Sequence, residues 1–249
     1  EQYANWFGKM LHGDFGTSYM QKKSVIALMS KALTVTLQLA ICAYIFAVVL
    51  GLVMGIIAAV NHGRWLDRTL MSLAVFGISA PVFWVAIVLQ IVFALNLKWF
   101  PLSGVKTAAA YVLPILALGT RYAASIARVT RTSMLDVLSQ DYIRTAEAKG
   151  LSRWTIIIKH ALRNALIPII TIAGTQLGDI LTGSILIESI FAMPGMGKLL
   201  LDAINARDLP LIEGSVMYIA VICVAIYLAV DILYAVVDPR IRLGGEASE

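Results

Sequence analysis

The sequence predicts an all-α protein that crosses a lipid bilayer five times. Two observations carry that expectation. Of 249 residues, 59% are hydrophobic and only 14% charged, whereas a soluble domain carries about 25% charged residues. So apolar a chain has too little polar surface to face water, and lipid becomes its solvent. A bilayer core also takes about 20 apolar residues of helix, and two runs, residues 32–61 and 69–97, contain no Asp, Glu, Lys or Arg.

The elements follow in order. Residues 1–32 precede the first span. The two charge-free runs are each long enough to cross alone, and Pro81 should kink the second by removing one backbone hydrogen bond. Three further spans carry single ionisable residues: 111–127 with Arg121, 165–187 with Asp179 and 214–237 with Asp231. Any of the three read alone would also fit a buried helix of a soluble core. Their near-continuous apolar character beside two clean spans favours the bilayer. The membrane domain therefore runs over 33–237, followed by a tail, 238–249. Gly51 and Gly55 have the small-xxx-small spacing that lets helices approach closely.

Lys and Arg set the orientation. Eleven basic residues fall in 61–68, 128–164 and the tail, against eight in the longer opposite set. The 128–164 connection and the tail are thus expected in the cytoplasm, and 1–32, 98–110 and 189–213 outside. The chain starts at Glu1 without a signal peptide. With an odd number of spans, one more helix is expected upstream.

Several function classes drop out. The net charge of +5 comes with no basic face for nucleic acid. Cys42 and Cys223 sit in apolar runs and read as buried thiols. His12, His62 and His160 are scattered, with no metal-ligand spacing. Gly195-Met196-Gly197-Lys198 fails as a phosphate loop, because Ala192 stands where a glycine is required and Leu199 where Ser or Thr is. No nucleophile–base pair suggests an intramembrane enzyme.

The segment 128–170 is too polar to cross, yet apolar residues recur at helical spacing at Met134, Leu135 and Leu138 and again over 156–162. Between them, small Ala146 and Ala148 would let a partner backbone approach. Gly150 can take positive φ at a helix end. Two readings stand at this point: a short helix entering a partner's groove, or an amphipathic loop on anionic lipid.

Residues 141–151 (DYIRTAEAKGL) and 160–168 (HALRNALIP) resemble the cytoplasmic signature loop of binding-protein-dependent ABC importers. The match is closest to B-type subunits of the dipeptide/oligopeptide/nickel permease family. Four more segments follow in the family's order: 13–18 (GDFGTS), 79–84 (SAPVFW), 188–191 with 194–200 (ESIF, PGMGKLL) and 238–242 (DPRIR). Arg144 stands where many importers carry glutamate, and Arg163 where C-type partners carry proline. The family's first helix has no counterpart here.

The resemblance implies a type I ABC importer permease fold in a prokaryotic inner membrane. It implies a homologous C-type permease, two ATP-binding subunits and an external substrate-binding protein as partners. ATP and Mg are then used by the partner ATPases, and this chain binds no cofactor and catalyses no covalent step. The coupling loop would comprise Arg144, Thr145, Ala146, Glu147, Ala148, Lys149, Gly150 and Leu151. The cargo would be dipeptides or oligopeptides, with nickel chelates, glutathione or other small ligands as alternatives within the family. Residues 198–206 read as a short amphipathic helix, either docking the binding protein or plugging the pathway. Glu188, Lys198, Asp202 and Arg207 are candidates for binding-protein contact. An ionisable group deep in a bilayer must face protein or water, which makes Arg121 and Asp179, with the milder Gln38, Gln90 and Gln176, candidates to line a pathway. Interhelical hydrogen bonds are the alternative for the glutamines. Asp231, near the cytoplasmic end, reads as structural. A secondary transporter or channel would instead use the ionisable residues as a relay, but three dispersed groups make a poor one, and it leaves the 128–164 segment without a role.

Overall fold

A computed structural model describes Gly8, Met10 and residues 13–237, excluding the side chains of Asp231 and of residues 233–237. The tail motif 238–242 and His12 lie outside the described residues, as does the Asp231 side chain. Among the described residues the regular structure is helical apart from one short bridge, Thr17 to Ser24, and turns and loops join the helices. In order come α1 (Val25–Val60), α2 (Trp65–Ser79), α3 (Val82–Leu89, continuing as a π-helix, Gln90–Asn96) and α4 (Ala109–Leu138). Then follow α5 (Asp141–Ala148), α6 (Arg153–Thr155, continuing as a π-helix, Ile156–Leu162), α7 (Arg163–Ile190), α8 (Met196–Ala206) and α9 (Leu209–Val237).

Among the described residues, four stretches are long and apolar enough to cross a membrane: Val25–Val60, Ala109–Leu138, Arg153–Ile190 and Leu209–Val230. A fifth crossing exists only if α2 and α3 are taken together. This corrects the expectation of one kinked helix over 69–97. Proline disfavours helical backbone at the residue before it, and Ala80 is extended (φ −71°, ψ 129°). The 15 residues of α2 span only about 22 Å at 1.5 Å per residue, short of the roughly 30 Å hydrocarbon core. Pro81 therefore breaks this span.

Other boundaries move as well. α1 begins at Val25, inside the expected leading segment 1–32. Within the expected connection 128–164, α4 runs on to Leu138 and helix resumes at Arg153. Many large apolar side chains are exposed along the spans, among them Ile41, Val49, Phe76, Val221 and Leu228. Lipid-facing surface accounts for that. Cys42 is likewise exposed and Cys223 half-buried, so neither is the buried thiol expected.

The contacts divide the chain into two units, with boundaries inside α1, α4, α7 and α9. The connections 61–68 and 128–164 fall in one unit, and 98–110 and 189–213 in the other. In the first unit Ala47, Ala59, Ala123, Ile126, Met134, Ile157, Ala161 and Ile169 form a small-residue core. A Cβ on Gly51 would meet Ile126 Cβ at 2.7 Å and Ala123 O at 2.8 Å, and one on Gly55 would meet Thr130 and Ala127 as closely. The glycine pair is thus the contact face of α1 on α4, as its spacing suggested. In the second unit, Val25, Met29 and Ala32 of α1 pack on Met196, Ala203 and Leu211.

Exposed tryptophans mark the loop regions of both units: Trp65 (71%) and Trp154 (72%) in one and Trp99 (65%) in the other. Such rings favour the bilayer–water interface.

Candidate functional site

α5 is the short helix expected before Gly150. Lys149 N and Gly150 N donate to Thr145 O (3.1 Å) and Glu147 O (2.9 Å), and Leu151 N donates to Ala146 O (3.3 Å). Gly150 makes the exit with φ +74°, a conformation that a Cβ disfavours. Ser152 then caps α6, its Oγ accepting from Thr155 N at 3.3 Å.

Of the eleven residues 141–151 two turn inward: Ile143 and Ala146 pack on Ile156 with Leu138 beside them. Ala146 is therefore not the small contact point a partner would touch. It lets α5 lie close to its own chain. The exposed surface of this segment includes Arg144, Thr145, Glu147, Ala148, Lys149 and Gly150, with Leu151 40% exposed. Arg144 lies 3.5 Å from Asp141, and both are solvent-facing, a pair worth well under 1 kcal/mol. Beside α5, a cavity of about 510 Å³ is lined by Val60, Leu138, Glu147, Leu151, Arg153 and Ile157, among others. Arg153 forms part of its wall and donates to Val60 O at 3.3 Å.

A tie not foreseen from the sequence braces the same unit. Asp67, 3% exposed, accepts two parallel bonds from Arg131, Nε to Oδ1 at 2.6 Å and Nη2 to Oδ2 at 2.8 Å. Gly63 N adds a bond at 3.0 Å, and His62 Nδ1 lies 3.0 Å from Arg131 Nη2. The α1–α2 turn is thus fastened to α4. Removing one partner of a buried ion pair costs about 3–5 kcal/mol. Asp67→Ala should lower the thermal midpoint of the purified protein by several degrees, and Asp67→Ala with Arg131→Met should recover part of it. An unchanged midpoint in Asp67→Ala would show the tie to be idle.

In the other unit, Glu188 is 0% exposed, which corrects its reading as a binding-protein contact. Its Oε1 accepts from Thr36 Oγ1 (2.6 Å) and Ser184 Oγ (3.1 Å). Its Oε2 accepts from Gly197 N (2.8 Å) and Lys198 N (3.3 Å). Met196 N donates to Thr36 Oγ1 at 2.8 Å. The first-turn amides of a helix lack intrahelical partners, and here Thr36 of α1 and Glu188 of α7 supply them for α8. A Cβ on Gly195 would collide with the Glu188 carboxyl, so the seat admits only glycine there.

The other three contact candidates are accessible. Lys198 and Asp202 pair at 3.0 Å four residues apart, and Arg207 is exposed in the left-handed region (φ 55°) at the end of α8. α8 itself, Met196–Ala206, covers the amphipathic stretch expected at 198–206.

Next to Arg207, Asp208 is 1% exposed and holds the hairpin ahead of α1. Ser18 Oγ donates to its Oδ2 (2.5 Å), Tyr19 N to Oδ1 (3.1 Å) and Met20 N to Oδ2 (3.2 Å). Burial pushes its carboxyl pKa up, but the bonds from Ser18 and from the Met20, Tyr19 and Leu211 amides prevail and hold it below the usual value. A depressed carboxyl stabilises above its ordinary value, about 3.9, and that contribution goes only as pH falls through the lower folded value. Amide protection factors of Tyr19 and Met20 should therefore stay constant from pH 8 to 5. A decline inside that window would contradict the assignment.

The pathway candidates separate. Gln38, Arg121 and Asp179 are exposed, and Gln38 Oε1 accepts from Tyr111 OH at 3.1 Å. Gln90 spends its amide on Leu102 O (2.8 Å) and Ile190 O (3.4 Å), so it fastens a connection. Gln176 is 6% exposed, and its Oε1 has no hydrogen-bond partner among the described residues. Gln90 is half-buried, and Gln176 lines no open surface of this chain.

Residues 51–243 match the model of a family described as binding-protein-dependent transport system inner membrane component. The dipeptide transport system permease protein DppB of Bacillus subtilis (strain 168) is 47% identical over 97% of this chain and 79% of the relative. The glutathione transport system permease protein GsiC of Salmonella choleraesuis (strain SC-B67) is 44% identical over the same shares. Among solved structures, inward-facing MetNI methionine ABC transporter superposes with TM-score 0.71 at 20% identity, over 86% of this chain and 97% of the other. An amino acid ABC transporter with histidines gives 0.61 at 16%, over 86% and 94%.

Proposed function

The chain belongs to the family of binding-protein-dependent transport system inner membrane components, and from that premise we propose that it couples import of short peptides to ATP hydrolysis on separate cytoplasmic subunits. It is a multi-pass permease subunit of an ABC importer, with a type I permease fold. The observation that carries the coupling role is the construction of α5. Ile143 and Ala146 anchor it on Ile156, while Arg144, Thr145, Glu147, Ala148 and Lys149 present an exposed face. A helix bolted from within and bare outside can transmit a displacement in either direction.

In this reading α5 lies on the cytoplasmic side and seats in an ATPase. A second, C-type permease completes the pathway, and an external binding protein delivers cargo. ATP and Mg act on the ATPases, and this chain contributes no covalent chemistry. The exposed Gln38, Arg121 and Asp179 face the pathway or the partner permease. Relatives named for dipeptide and glutathione transport at 47% and 44% identity support a short peptide as cargo.

The assembled transporter in proteoliposomes, given its binding protein, should accumulate labelled dipeptide only with ATP inside the ATPase compartment. A protonophore at constant ATP should leave the rate unchanged. Competition by unlabelled glutathione then ranks the two cargoes. Accumulation driven by a proton gradient without ATP would sink the proposal.

A further inference from the structure

Residues 17–24 fold back on themselves just ahead of α1. Thr17 and Ser24 form an antiparallel bridge. Ser18 N donates to Lys23 O (2.9 Å), and Lys22 N donates to Ser18 O (3.1 Å). Gln21 N is bonded to Ser18 Oγ at 2.9 Å. Lys22 takes a left-handed backbone (φ 54°), which is unfavourable for a residue with a Cβ. The carboxyl of Asp208 pins the turn through Ser18, Tyr19 and Met20.

This ordering yields almost no burial. Tyr19 is 59% exposed and Met20 65%, and Gln21, Lys22 and Lys23 are exposed too. Fixing such a turn loses conformational entropy, and the side chains at its tip bury little within the unit. Arg207, exposed and left-handed, is joined directly to the pinning Asp208. Lys22, Lys23 and Arg207 form no ion pair among the described residues. Of the acids close by in sequence, Asp14 Oδ1 accepts from Gly16 N, Asp202 is paired with Lys198, and Glu213 of α9 is exposed. The result is a rigid tip bearing an aromatic ring, a thioether and three unpaired cations.

We propose that this hairpin tip, with Arg207, is the docking surface for an acidic patch on the external substrate-binding protein. The inference rests on the importer reading above; of the contact candidates read from the sequence it keeps Arg207 and adds the hairpin tip. Lysine and tyrosine beside a helix start also suit a lipid interface. Lipid anchoring works through flexible stems that snorkel and gains nothing from a pinned backbone. Protein docking gains from one, because less freedom is lost on association, and aromatic and Arg side chains are enriched at such contacts.

The test uses the complete transporter in nanodiscs of phosphatidylcholine and measures the equilibrium Kd of its binding protein. Lys22→Glu, Lys23→Glu and Arg207→Glu together should weaken binding at least tenfold, and the neutral set Lys22→Gln, Lys23→Gln and Arg207→Gln less. Asp208→Asn keeps the cations but loosens the hairpin, and should weaken binding at least threefold. Wild-type Kd should rise with ionic strength, since exposed charges are screened. Unchanged affinity in the charge-reversed protein overturns the proposal. So does a defect seen only when anionic lipid is added, which makes the tip a lipid anchor. If wild-type transporter fails to bind the protein at all, the importer reading fails instead.

Discussion

Glu188→Ala should unseat α8 and cut peptide uptake to less than a tenth. The carboxyl holds two first-turn amides, Gly197 N and Lys198 N, and takes the Thr36 hydroxyl that in turn receives Met196 N. Ser184 loses less, because its hydroxyl also bonds Leu181 O at 2.8 Å. A buried donor left without a partner costs about 1–3 kcal/mol. Two amides and one hydroxyl together put the loss at roughly 3–9 kcal/mol, several times the effect of an ordinary helix cap. Lys198 is the natural reporter: trypsin should cut after it many times faster in the variant. Glu188→Gln keeps one acceptor oxygen and should fall between. Thr36→Val should reproduce a smaller version of the defect, since it removes the link from α1 alone. Wild-type cleavage kinetics and uptake in Glu188→Ala would show that the clamp carries nothing.

The second large effect is expected at α5. Gly150→Pro cannot adopt φ +74°, because proline is confined near −65°, and it also deletes the bond from Gly150 N to Glu147 O. Ala146→Trp drives an indole into the contact with Ile143, Ile156 and Leu138, where overpacking costs about 1–3 kcal/mol. Either change tilts or frees α5 without touching a span. Uptake should fall more than tenfold, and ATP hydrolysis should no longer respond to the binding protein. Gly150→Ala, which only strains the turn, should cost about 1 kcal/mol and leave measurable uptake. Full uptake by Gly150→Pro would remove α5 from the mechanism.

How far the sequence alone reaches depends on whether a feature is local. Near-continuous apolar runs located the crossings, the Gly150 turn was visible as a glycine after a helical stretch, and the spacing of Gly51 and Gly55 gave the α1–α4 contact. Pro81 was legible as a defect, but a break follows only when the constraint on Ala80 is added. The buried polar ties were not legible. Thr36 and Glu188 are 152 residues apart, and Ser18 and Asp208 190. A threonine in an apolar run reads as an ordinary helix residue bonded to its own backbone, and a glutamate at a span end reads as exposed. Asp67 offered a faint signal, an acid in the first turn of α2, which suits the helix dipole without pointing to Arg131. Ala146 shows the same limit: smallness predicted a close approach, while the direction of that approach, toward Ile156, required coordinates.

The account turns on α5 meeting an ATPase on the cytoplasmic face, and a photo-crosslinking amino acid at Ala148 or Lys149 tests that contact most directly. In intact cells expressing the full transporter, both positions should crosslink to an ATP-binding subunit, with the yield changing on ATP addition to permeabilised cells. Crosslinks confined to lipid, or labelling of either position by a membrane-impermeant reagent from outside, would contradict it.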